Sequence, residues 1–181
     1  MSNEWLRDAA TPTEYHTVRV TSSREFVFRM TTGGDLWRGI QKFAMDHGIR
    51  FAKVHTAFMG GFQPCRFLVW APDTRDSSNW HHEEPMEIQN LAMILALGGI
   101  IHVREAEGKE EPFPAIHFVA GGAWNAPTIG GHLLEGSIVK GAFELFITEL
   151  DGIDVLYGPP EPNNFPENWY RETEVRGHGG M

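Results

Sequence analysis

Two histidines, His117 and His132, have the settings that point most directly to chemistry, and they lie fifteen residues apart. His117 is inside the apolar alternation Ile-His-Phe-Val-Ala, which is typical of a strand. His132 follows Gly-Gly and precedes Leu-Leu, which indicates a glycine turn that opens into a second strand. Two strands joined by such a loop can pair and bring the imidazoles together. Because neutral imidazole binds Zn²⁺ and similar ions, the pair predicts a pocket for a divalent metal or a small ligand.

A third ligand is required, because two imidazoles do not fill a tetrahedral zinc site. His55, in an expected strand, and His102, at the end of an expected core strand, are the candidates. Each also has a simpler interpretation as a histidine that is hydrogen-bonded within a sheet. His81 and His82 belong to the polar stretch 71–84, which is typical of a solvated loop, with an active-site lid as the alternative.

Three further residues near His132 have predicted roles in the same pocket. Glu135, three positions later, is a candidate general base or a partner that orients an imidazole. Gly130 and Gly131 are candidate ligand-binding positions. The alternative is that this segment only secures a glycine-rich turn. A histidine inside an apolar strand needs a polar partner, which favours the pocket.

The composition limits the classes of function. The 181 residues include 15 basic and 24 acidic side chains, a net charge of −9. Direct DNA binding is disfavoured, because phosphate contacts dominate that affinity and require a basic surface. The single cysteine, Cys65, cannot form an internal disulfide and is more simply a small buried side chain than a reactive thiol. The absence of a signal peptide or a long apolar run predicts a cytoplasmic protein with no membrane association.

The elements that must position the histidines are mainly strands. A helix is predicted over residues 35–47, since apolar residues recur at helical spacing after Asp35 and Gly48 can end it. Residues 15–20 and 25–30 are expected to form a hairpin around a turn at 21–24.

Five segments follow one another in the same order as the motifs of a known protein family. They are Gly-Asp-Leu at 34–36, His-Gly-Ile at 47–49, ILALGGII at 94–101, PAIH at 114–117 and GGHLLEG at 130–136. Together they resemble the plants and prokaryotes conserved (PPC) domain, which follows AT-hooks in a plant nuclear family and occurs alone in bacteria and archaea. The GGHL…G segment is the most specific part. The resemblance covers residues 14–158, between a tail at 1–13 and a proline-rich extension at 159–181.

The resemblance implies an α+β fold of the α/β sandwich type, with a mostly antiparallel sheet of about seven strands, a packed helix and a homotrimeric assembly. It also implies a metal site near a subunit boundary, built from an HxH strand and the GGHL histidine. His117 and His132 match these positions, whereas Ala115 replaces the first histidine of the strand. His55 or His102 would then have to compensate.

The resemblance further implies a DNA-binding label, which comes from plant proteins whose separate AT-hook carries Arg-Gly-Arg-Pro. The nearest segment here, RGHG at 176–179, lacks the second arginine and the proline. The favoured function is therefore a trimeric protein with a histidine-lined pocket for zinc, another divalent metal or a small ligand. The alternative is a DNA-binding or regulatory protein.

Overall fold

The computed structural model describes residues 17–58, 60–76, 80–89, 93–121, 128–155 and 170–173. The predicted tail at 1–13 lies outside these ranges, as does the predicted extension at 159–181 apart from residues 170–173. Within the described ranges, no helix is both long enough and apolar enough to cross a membrane.

Antiparallel strands and one α-helix make up the described fold. Eight strands form the main sheet, in the order β1-β12-β2-β8-β9-β10-β4-β7. The predicted α+β class with a mostly antiparallel sheet is confirmed, with eight strands in the main sheet instead of about seven. The elements are β1 (Thr21–Met30), α1 (Leu36–His47), β2 (Ala52–Phe58), β3 (Gly61–Phe62), β4 (Cys65–Leu68), β5 (Trp70–Pro72), β6 (Trp80–His82), β7 (Met86–Ile88), β8 (Met93–Ala106), β9 (Lys109–Gly121), β10 (Ile129–Leu133), β11 (Val139–Lys140), β12 (Phe143–Asp151), β13 (Ile153–Val155) and β14 (Tyr170–Glu172).

The helix α1 begins and ends as its sequence predicts. Asp35 is the N-cap, and its carboxylate accepts a hydrogen bond from the Arg38 backbone N–H at 3.1 Å. Its second oxygen accepts from the backbone N–H of Gly136 at 2.8 Å, which ties the start of the helix to the turn that follows β10. Gly48 takes the left-handed conformation at φ 64° and closes the helix.

The predicted turn at residues 21–24 is wrong, because β1 runs without interruption from Thr21 to Met30. β1 pairs with β12, with one register irregularity between Ser22 and Glu25. The Arg24 side chain binds the buried Glu149 carboxylate at 2.5 Å and 3.1 Å. Pairing with a distant strand therefore overrides the local preference for a turn.

The core lies between α1 and the sheet and contains an aromatic cluster. Phe62 stacks on Phe143 with ring centroids 4.9 Å apart, and its ring also lies 6.2 Å from that of Phe118. Phe118 contacts Phe67 edge-on at 5.5 Å. Because Phe118 belongs to β9, this cluster fixes the strand that carries His117 on its opposite face.

Helix α1 also covers part of the edge of β9. β10 pairs with residues 117–120 of β9, which leaves the earlier part of that strand without β10 beside it. There the Trp37 indole N–H donates to the Pro114 carbonyl at 2.9 Å, and the Gln41 amide donates to the Pro112 carbonyl at 3.0 Å. These bonds hold β9 between the helix and β8.

Candidate metal site

The structure brings His117 and His132 together as their strand settings predict. The two residues are direct partners in the antiparallel pair of β9 and β10, so their side chains share one face of the sheet. The His132 Nδ1 atom lies 3.4 Å from the His117 Nε2 atom, and the ring centroids are 5.1 Å apart. His117 is exposed, whereas His132 is partly buried.

The two glycines before His132 let β10 lie close to both of its neighbours. A Cβ atom on Gly130 would lie 2.4 Å from the Phe118 carbonyl oxygen, and one on Gly131 would lie 2.6 Å from the Leu68 carbonyl oxygen. Both distances are shorter than real Cβ contacts, and both clashes are with backbone. The close approach of the neighbouring strands therefore explains why glycine occupies both positions. The predicted contact of these glycines with a ligand stays a prediction.

Two imidazoles near the pair have a lowered pKa. Burial first, and then repulsion from His117, His82 and His102, lowers the pKa of His132 to about 4. Burial also lowers the pKa of His82, with smaller contributions from His117 and His81. A neutral imidazole has a free lone pair, which is the form that binds a metal ion.

His102 is close to the pair but is separated from it by an aromatic ring. It is buried, and its Nδ1 atom lies 3.2 Å from the Val103 carbonyl oxygen. The Phe113 ring lies 5.3 Å from the His102 ring and stacks on the His132 ring at 6.3 Å. The Arg104 guanidinium packs over Phe113 at 4.1 Å. This arrangement favours a supporting role for His102 over direct ligation.

His55 lies in the same row of cross-strand partners as His117, but two strands away from it. It pairs with Gly98, which in turn pairs with His117. Two strand spacings, about 9–10 Å, therefore separate the backbones of His55 and His117. Its role as a ligand stays a prediction and finds no support in this placement.

Glu135 points its carboxylate to the helix. The Arg38 side chain forms an ion pair with it, and the Glu135 carbonyl accepts from the Arg66 guanidinium at 3.2 Å. These contacts favour a structural role for Glu135 in fastening the turn after β10 to α1. Its assignment as a general base stays a prediction.

His82 lies near the histidine pair, although the sequence predicted a solvated loop around it. The expected loop at 71–84 overlaps the paired strands β5 and β6, and residues 77–79 lie outside the described ranges. His82 lies with its ring centroid 6.5 Å from that of His132. Among the described residues, no group of three or more histidine, cysteine, aspartate or glutamate side chains is arranged so that it could hold a metal ion.

Cys65 has the properties of an inert core thiol. It is fully buried, and burial raises its pKa to about 12, although a hydrogen bond with Ser137 acts in the opposite direction. Only the thiolate reacts with alkylating agents. We therefore expect iodoacetamide at pH 8 to label Cys65 far more slowly in the native protein than in urea-unfolded protein. Equal rates in the two states, measured by mass spectrometry, would contradict this.

The sequence profile of the Plants and Prokaryotes Conserved (PCC) domain, also abbreviated PPC, matches residues 18–151. The chain belongs to the PPC domain family. The matched range begins just before β1 and ends with β12, so it contains the main sheet, helix α1 and both site histidines. No curated protein matches this PPC chain.

Solved structures of low sequence identity share the fold of this PPC chain. A PPC protein from Pyrococcus horikoshii has a TM-score of 0.59 and 19% identity over 90% of this chain and 99% of its own. A metal-containing protein from Archaeoglobus fulgidus has a TM-score of 0.58 and 22% identity, over 75% and 86% of the two chains. A protein from Ralstonia eutropha with a provisional DNA-binding name has a TM-score of 0.55 and 20% identity, over 76% and 87%.

The PPC chain carries an alanine where the family resemblance expects the first strand histidine. Ala115 lies two positions before His117 on β9, on the same face of the strand, and pairs with Ile100 of β8. A methyl group supplies no lone pair. Ala115 therefore cannot act as a ligand beside His117 and His132.

Proposed function

We propose that this chain is a homotrimeric PPC protein that binds a divalent metal ion, with zinc as the first choice, between His117 and His132. The observation that carries the proposal is the 3.4 Å separation of the His132 Nδ1 and His117 Nε2 atoms. Zn–N bonds of about 2.0–2.1 Å at the tetrahedral angle place two ligating nitrogens about 3.3–3.4 Å apart. The separation of these two nitrogens therefore matches that of two nitrogens bound to one zinc ion.

The surroundings of the pair also suit a metal site. The backbone of β10 is fixed between β9 and β4, so the pair is preorganised rather than flexible. The lowered pKa of His132 leaves the imidazole unprotonated, so a metal ion does not have to displace a proton from it near neutral pH. When bound between these two histidines, the ion would supply Lewis-acid chemistry toward a carbonyl group or a water.

The alternative, a DNA-binding or regulatory protein, has less support. The Ralstonia protein carries a DNA-binding name, but the net charge of this chain is −9. A surface that binds DNA non-specifically needs positive charge to replace phosphate counterions.

Zinc titration of the purified chain without an affinity tag tests the proposal. Isothermal calorimetry at pH 7 is expected to give one zinc ion per chain, and metal analysis of the dialysed complex should agree with that ratio. Mg²⁺ is the control ion, because it prefers oxygen ligands and should not compete. Failure of the chain to bind zinc, cobalt or nickel would refute the proposed function.

The trimer is supported by apolar side chains left exposed on the three neighbouring strands β1, β12 and β2. Val27 pairs with Phe146, and the two residues are 66% and 51% exposed. Phe58, 61% exposed, lies on the next strand opposite Glu144. Apolar side chains that cluster at the surface mark association sites, and a copy of the same chain is the partner we propose.

Replacing Phe146 by aspartate is expected to dissociate the trimer, because the new carboxylate would be buried without a partner in the interface. Light scattering coupled to size-exclusion chromatography should give the mass of three chains for the unmodified protein and a smaller mass for Phe146→Asp. Asp46→Ala on the exposed surface of α1 is the control and should keep the trimer mass. A monomeric unmodified protein would contradict the assembly.

A further inference from the structure

The hairpin formed by β5 and β6 projects His82 toward the site. β5 follows β4 almost directly, and Leu68 of β4 is the register partner of His132. The two hairpin strands pair through Trp70 and His82, and the Glu83 backbone N–H donates to the Val69 carbonyl at 2.9 Å. The chain therefore returns beside the strand next to β10, at the level of His132.

The position of the His82 ring is defined by two neighbours. The Trp70 indole contacts it edge-on, with centroids 4.6 Å apart. The His132 ring is the second neighbour, at 6.5 Å between centroids and with an interplanar angle of 53°. His132 thus has an imidazole neighbour on each of two other strands, His117 on β9 and His82 on β6.

Simple geometry shows how far this cluster is from a three-ligand site. In a tetrahedral zinc site, imidazole centroids lie about 5.2 Å from one another, given Zn–N bonds of about 2.0–2.1 Å. The 5.1 Å between His117 and His132 already meets this value. The 6.5 Å between His82 and His132 exceeds it by little more than one ångström. Ligation by His82 therefore requires its ring to move toward the pair, which a different side-chain rotamer would allow.

We infer that His82 is the third protein ligand of the metal site, in the place that Ala115 leaves without a lone pair. This inference rests on the proposed function and deepens it, because it names the residue and the hairpin that complete the site. A bound metal ion would be held by His82, His117 and His132, with a fourth position open for water or a small ligand.

The neighbouring His81 does not belong to this group. Adjacent residues of a strand face opposite sides, and the His81 Nε2 atom lies 3.5 Å from a Glu83 carboxylate oxygen. Of the two histidines, His82 is the one whose ring lies near His132.

Cysteine substitution with Co²⁺ as the probe tests the inference. A cysteine in the coordination shell binds as thiolate and adds a sulfur-to-cobalt charge-transfer band in the near ultraviolet. His82→Cys is expected to show this band, and His81→Cys, its matched control, is expected to lack it. The buried Cys65 is present in both variants and in the unmodified protein, so it does not confuse the comparison.

Zinc titrations of the same proteins distinguish ligation by His82 from metal binding by the His117–His132 pair. His82→Ala is expected to bind zinc on the order of 100-fold more weakly, at or above the loss usual for a residue that only supports a ligand. His81→Ala should bind as the unmodified protein does. Equal zinc affinity for His82→Ala and the unmodified protein, with no charge-transfer band in His82→Cys, would overturn the role of His82 and leave the His117–His132 site standing. Absence of binding in the unmodified protein would refute both.

Discussion

Replacing His132 by alanine is expected to lower the affinity for zinc by at least about 100-fold, which equals or exceeds the loss usual for a supporting residue of a metal site. The change removes one of the two nitrogens that already lie at a zinc-bridging separation of 3.4 Å. It leaves the fold in place, because His132 is on the face of β10 away from the core, whereas its neighbour Leu133 is fully buried. Calorimetric zinc titration at pH 7 measures the effect.

The controls for this prediction are histidines at a distance from the site. His47 lies at the end of α1 and packs on Phe43, with ring centroids 4.6 Å apart, so His47→Ala should bind zinc with unchanged affinity. His55→Ala should also be unchanged, because two strand spacings separate it from His117. Full zinc affinity in a folded His132→Ala variant would show that the imidazole pair is not the site.

Replacing Phe143 by alanine is expected to reduce the free energy of unfolding by about 3–5 kcal/mol. Phe143 is fully buried in the core and stacks on Phe62, so the substitution leaves a large cavity that close-packed neighbours do not refill. Urea unfolding, followed by tryptophan fluorescence at one fixed protein concentration, measures this loss.

A matched control for Phe143→Ala is Met45→Ala on α1. Met45 is 58% exposed, and alanine favours a helix, so its loss should change the stability by less than about 0.5 kcal/mol. Similar losses in the free energy of unfolding for both variants would mean that the aromatic cluster does not stabilise the core.

Local sequence signals were sufficient for the helix and for the pair of histidines. Asp35 and Gly48 mark the ends of α1 because capping depends on the residues next to the cap. His117 and His132 meet because a short connection between two strands makes pairing the simplest arrangement. These features depend on neighbours in the chain, which the sequence displays directly.

Features that depend on distant parts of the chain were not predictable. The polarity of residues 71–84 indicates solvent exposure, and nothing local shows that His82 lies beside His132. Similarly, the placement of Phe113 between His102 and His132 depends on how β8, β9 and β10 are aligned. The ion pair that directs Glu135 to Arg38 joins residues 97 positions apart.

The prolines of β9 have a consequence for the behaviour of the protein at high concentration. Pro112 and Pro114 have no N–H to offer, and their carbonyl oxygens already accept hydrogen bonds from Gln41 and Trp37. A strand from another molecule would therefore find neither donors nor free acceptors at these two positions. This stretch of a long, partly uncovered strand is protected from the edge-to-edge pairing that begins β-aggregation.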